Sequence, residues 1–108
     1  MKMIDLNKLS EEAYTTAKKR EKNGAFIQTG PMQILKHCSG EVVEAVEAYC
    51  DYCESVNSDN LEKFENEIAD IIVCCLIISG LGMIDIEKAL NRVMEKNRLR
   101  AEKKGDKL

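Results

Sequence analysis

Two short stretches place carboxylates inside otherwise apolar sequence: GEVVEAVE at 40–47 and ENEIAD at 65–70. At helical spacing, Glu41 and Glu44 lie one turn apart in a stripe with His37 and Ala48. Glu67 and Asp70 do the same in a stripe with Lys63 and Cys74. Glu47 is rotated off the first stripe and reads as a solvated acid. Asp70 stands among isoleucines, so full solvation is not expected there. A buried carboxylate without a partner is costly and must be protonated, paired or coordinated. Two such pairs on adjacent helices would repel unless a cation lay between them. An all-oxygen donor set favours a hard ion, Mg²⁺ with Mn²⁺ as a substitute, over zinc. Either pair alone would more often be a solvated face. Both together, each in apolar surroundings, favour a site.

Helices must hold these pairs, and the apolar spacing predicts four of them. The first runs from about Leu6 to Lys22, with Leu6, Leu9, Ala13 and Ala17 on one face, and Asn23–Gly24 stops it. The second follows TGP: Thr29 or Gly30 can cap, Pro31 suits the first helical position, and the pattern continues to about Glu54. Asp59 and Glu62 are spaced like a capping box for a third helix that reaches Ser79 before GLG ends it. The fourth begins near Asp85 and carries Ile86, Leu90, Val93 and Asn97 on one stripe. A charged tail over about 101–108 is expected to fray. Short connections predict one all-α domain over 1–108, an antiparallel four-helix bundle. The third helix is apolar on nearly all sides, since Ile71, Ile72, Val73, Leu76, Ile77 and Ile78 cannot all face one small core. It predicts oligomerisation through that helix, as a homodimer or homotetramer.

The chain has 108 residues, 44% of them hydrophobic and 32% charged, which suits one modest globular core. A net charge of −3 argues against a general nucleic-acid surface, although basic residues collect from Lys96 to Lys107. The stretch Ile68–Ile84 approaches the length of a membrane span, but Asp70, Gly80 and Gly82 break it, so no membrane association is expected. MKMIDLNKL has no long apolar run, so no leader is expected. Five cysteines without framework spacing fit free thiols and a cytoplasmic location. Cys50 and Cys53 form a C-x-x-C with no second pair to complete a metal site. Cys74 and Cys75 read as small core residues.

The order E-x-x-E on one helix and E-x-x-D on the next resembles the MazG-like all-α nucleoside triphosphate pyrophosphohydrolases. GEVVEAVE followed by EIADII is closest in wording to the dCTP pyrophosphatase-like branch. The resemblance spans roughly Pro31 to Arg100, with MEKNRLR matching the Asn- and Arg-containing segment of the last helix. It implies that Glu41, Glu44, Glu67 and Asp70 bind Mg²⁺ and that Asn97 contacts the substrate. Lys96, Arg98 and Arg100 are cations near enough in sequence to meet phosphates. That branch tends to carry a histidine near the proline and a tryptophan in the base pocket. Here Thr29 precedes GP and the chain has no tryptophan, so base recognition would fall to other groups. Phe26, in NGAFIQTG, is one candidate to stack on a base. His37, one turn before Glu41, is a candidate for a phosphate or a metal-bound water.

The reaction implied is hydrolysis of a nucleoside triphosphate to the monophosphate and pyrophosphate, in the service of nucleotide-pool house-cleaning. Glu41 or Glu44 would accept the proton of the attacking water. Two rivals come from other classes. A di-iron carboxylate bundle needs Glu-x-x-His on two helices, and one histidine cannot supply that. The other is a non-catalytic helical oligomer or partner-binding module whose acids are simply solvated.

Overall fold

In a computed structural model of the chain, residues 4–24, 30–82 and 84–103 are described. They form four helices: α1 Leu6–Lys22, α2 Pro31–Glu54, α3 Ser58–Leu81 and α4 Ile86–Ala101. No strand occurs among the described residues. The local signals explain most of the boundaries. Gly30 is the N-cap of α2 with Pro31 behind it, and Gly24, at φ 85°, takes the left-handed conformation that ends the α1 segment. The capping box expected at Asp59 is not what starts α3. Asn57 caps it instead, its side chain accepting from the Asn60 amide at 2.8 Å, because a short amide reaches the free N–H groups as well as a carboxylate does. The helix then continues two residues beyond Ser79, to Leu81.

α3 is the central element, packing against α2 on one side and α1 on the other. Ala17, Ile34, Cys74 and Ile77 form the core, with Ile34 fully buried. The α1–α3 contact is close at Gly80, where a Cβ would fall 2.6 Å from the Ser10 carbonyl oxygen. Ser10 Oγ, buried in the same contact, donates to the Leu76 carbonyl at 2.7 Å.

α4 is attached differently. It packs mainly against α1, through a reciprocal exchange of caps at the two N-termini. Leu6 N–H donates to Glu87 Oε1 at 2.8 Å, while Asn7 Oδ1 accepts from the Ile86 and Glu87 amides at 3.0 and 3.3 Å. Asp85 caps α4 by accepting from the Lys88 amide, and it also accepts from Asn7 Nδ2 at 2.9 Å. Beyond that joint α4 buries no residue. The stripe expected to face inward is half open within one chain, with Leu90 and Val93 exposed.

The apolar excess of α3 has a definite outcome. Leu76 and Ile77 are buried, but Ile68, Ile72 and Val73 face outward, Ile72 at 53% exposure. Cys75 is exposed too, contrary to its reading as a core residue, because one residue further round the helix from Cys74 turns it off the packed face. No helix is long and apolar enough to cross a membrane among the described residues.

Candidate metal centre

α2 and α3 lie side by side with their acid stripes facing one another. Carboxylate oxygens of Glu41, Glu67 and Asp70 all lie within 4.8 Å of each other, one from α2 and two from α3. Glu44, one turn along α2, adds a like charge beside Glu41. Helical spacing thus brings Glu41, Glu67 and Asp70 into one cluster, with Glu44 next to Glu41 outside it. The burial differs from expectation. Asp70 is exposed, whereas Glu41 and Glu67 are the half-buried members, so the cluster opens to solvent on the Asp70 side.

Two oxygens define the chemistry. Glu41 Oε2 and Glu67 Oε2 are buried and have no hydrogen-bond partner among the described residues. Burial pushes the Glu41 carboxyl above its ordinary 4.5, and the neighbouring Glu44 and Asp70 charges push it the same way. His37 opposes them: its Nε2 sits 3.0 Å from Glu41 Oε1. An acid held in this way either keeps a proton or meets a cation. The donor set is hard oxygen throughout, with two oxygens that nothing in the described chain satisfies, and it fits a divalent ion.

His37 thus contacts an acid of the cluster directly. Lys63, to which the sequence reading assigned no role, lines a cleft of roughly 220 Å³ with Glu44, Glu47, Asp51, Asn60 and Glu67. It places a cation in the cleft that Glu44 and Glu67 also line. Its sequence signal was its place four residues before Glu67, on the same face.

The α4 candidates stand apart from this seam. Asn97 is half-buried and Lys96 exposed. Arg98 is held on the surface of its own helix by Glu95 at 2.6 Å and Glu102 at 2.7 Å. With α4 packed mainly on α1, no described contact joins these three to the acids. Phe26 and Thr29 lie outside the described residues.

Comparison with known proteins returns one family. The model described as the MazG nucleotide pyrophosphohydrolase domain matches residues 29–104, which include all four acids and Asn97. No curated protein and no solved structure matches the chain.

Proposed function

We infer the reaction from family membership: this chain belongs to the MazG nucleotide pyrophosphohydrolase family, whose members are nucleoside triphosphate pyrophosphohydrolases. The reading proposed for this chain is Mg²⁺-dependent cleavage of a nucleoside or deoxynucleoside triphosphate between the α- and β-phosphates. Mn²⁺ would be a working substitute, and removal of unwanted nucleotides from the pool would be the purpose. The wording of the two acid motifs favours a substrate of the dCTP type. One observation supports the metal dependence: two buried carboxylate oxygens, on Glu41 and Glu67, have no donor among the described residues. A non-catalytic module with solvated acids does not account for them.

Glu41, Glu44, Glu67 and Asp70 would hold the cation. When bound, it supplies positive charge to the triphosphate oxygens and lowers the pKa of nearby water. The protein's own groups do the rest. Glu44, exposed beside Glu41, would accept a proton from the attacking water, and Glu41 is the other candidate. Lys63 offers a charge to the phosphates from the cleft wall. Asn97, with Lys96 and Arg98, would reach the substrate from α4, in the same chain or from a second copy.

A second copy is part of this reading. The radius of gyration is 16.5 Å, against about 13 Å for a compact chain of this length. Val42, Val46, Ile72, Val73, Val93 and Met94 are all exposed on α2, α3 and α4. A homodimer or homotetramer would cover them.

Pyrophosphate release from a panel of canonical and modified nucleoside triphosphates, with and without Mg²⁺, tests the proposal. Metal-dependent release of pyrophosphate is the expected result. No release from any member, together with no thermal shift on adding millimolar Mg²⁺ and nucleotide, would sink it. Light scattering that finds only monomer would remove the oligomer.

A further inference from the structure

The two half-buried acids of the seam differ in what stands one turn before them. His37 precedes Glu41 on α2 and sets Nε2 3.0 Å from Glu41 Oε1, a distance at which a ring N–H donates to a carboxylate. Lys63 holds the same place before Glu67 on α3, yet no ion pair joins those two among the described residues. Exposure within the His37–Glu41 pair is uneven, at 48% of the histidine side chain against 14% of the glutamate. The ring therefore lies nearer to solvent than the carboxylate it meets. Glu41 Oε2 is buried and has no donor among the described residues. One oxygen of Glu41 thus has a neighbour, and the other is left for something else.

We propose that His37 is a positioning residue: its Nε2–H bonds Glu41 Oε1 and holds the carboxylate so that Oε2 stays free for the cation. The role rests on the metal binding proposed above. A neutral imidazole has one N–H and one lone pair. Spent on Glu41, that N–H leaves Nδ1 as an acceptor, which offers a phosphate oxygen nothing. The ring nitrogen that faces the acids is already occupied, so His37 acts through Glu41 and not on the substrate. Helical spacing supplies the rigidity, because residues four apart on one helix are fixed neighbours. A glutamate without such a hold must be ordered each time an ion binds, at the expense of its side-chain freedom.

Loss of the donor should therefore weaken the ion and not the nucleotide. His37→Phe keeps a ring and deletes the N–H, so metal affinity should fall about tenfold, the scale on which hydrogen-bond partners of metal ligands act. His37→Gln carries its amide nitrogen as many bonds from the backbone as Nε2 and can donate in its place. That variant should recover most of the affinity.

Mn²⁺ binding to the untagged, nucleotide-free protein, followed by its paramagnetic resonance signal, is compared across wild type, His37→Phe and His37→Gln. Weak binding by the phenylalanine variant and near wild-type binding by the glutamine variant are expected. Equal affinity in wild type and His37→Phe, or no recovery in His37→Gln, would overturn the role. Unchanged Mn²⁺ affinity with a raised KM for nucleotide would return His37 to the substrate. The contact itself is read without metal. The chain has a single histidine, so its ring nitrogen resonances need no assignment. At mildly alkaline pH they should show the hydrogen on Nε2 and should shift in Glu41→Ala. Ring resonances indifferent to Glu41→Ala would refute the contact, even if His37→Phe failed to fold. Mn²⁺ binding without nucleotide hydrolysis would sink the proposed reaction and leave this role standing, whereas a wild-type protein that binds no Mn²⁺ would overturn both.

Discussion

The molecule uses carboxylates in two places and treats them in opposite ways. At the joint of α1 and α4, Asp5, Asp85 and Glu87 each accept a backbone N–H from a helix start. There the helix termini supply donors, and hydrogen bonds from Asn7 and the Lys88 amide hold the Asp85 carboxyl below its ordinary 3.8. In the α2–α3 seam the acids meet mid-helix, where every backbone amide is already used. Burial and like charges then raise Glu41 instead of lowering it. The contrast is one of supply. Caps are satisfied by the chain itself, and the seam must be satisfied from outside it.

The sharpest way to break this contrast is to delete one acid from each place. Asp70→Ala is expected to lower hydrolysis by about a hundredfold or more, roughly 3 kcal/mol of transition-state stabilisation, with helical circular dichroism retained. Asp85→Ala should leave kcat/KM near wild type. Similar kinetics for the two variants would mean that the seam acids are only structural.

α4 is capped in the first region and carries Asn97, the residue proposed to reach the substrate. Steady-state kinetics of Asn97→Ala should show about a tenfold loss in kcat/KM, near 1.4 kcal/mol for one hydrogen bond in a partly dry site. Mn²⁺ affinity should be unchanged. Lys96→Ala and Arg98→Ala should have smaller effects that fade with added salt. Wild-type kinetics for Asn97→Ala would show that the substrate faces another helix.

The cap comes next in size. Asp85→Ala is expected to lower the urea midpoint, as losses of N-capping carboxylates do, and Asn7→Ala should lower it too because it serves the same helix start. Urea titration checks both. An unchanged midpoint in either would show that the reciprocal capping contributes nothing.

The smallest effect is also the most diagnostic of charge. Because the folded-state pKa of Glu41 is raised, ionising it destabilises the fold, and that cost is relieved as pH falls through the folded value toward 4.5. Metal-free Glu41→Gln should therefore be more stable than wild type at neutral pH, and the gap should close on acidification. Asp85 has the opposite sign: its folded-state pKa is lowered, so its contribution is present at neutral pH and is lost as pH falls below 3.8. Saturating Mg²⁺ should reverse the neutral-pH ordering of wild type and Glu41→Gln. Thermal melts across pH, with and without the ion, measure all of this.

Much of this was legible in the sequence, because helical periodicity is local. Pro31, Asn23–Gly24 and the GLG at 80–82 mark helix ends by backbone chemistry that needs no partner. The spacing of Glu41 with Glu44 and of Glu67 with Asp70 places each pair on one face, and the order of the two pairs carries the family. What periodicity cannot carry is the register between helices. The sequence offers Asn7 and Asp85 nothing that links them, 78 positions apart, and only the packing of α1 on α4 makes them one cap. The same holds for Glu41 on α2, whose carboxylate meets those of Glu67 and Asp70 on α3, 26 and 29 residues further along the chain. Local sequence decides which residues share a face. Tertiary structure decides what that face meets, because the energy of burial and of charge depends on neighbours contributed by distant segments.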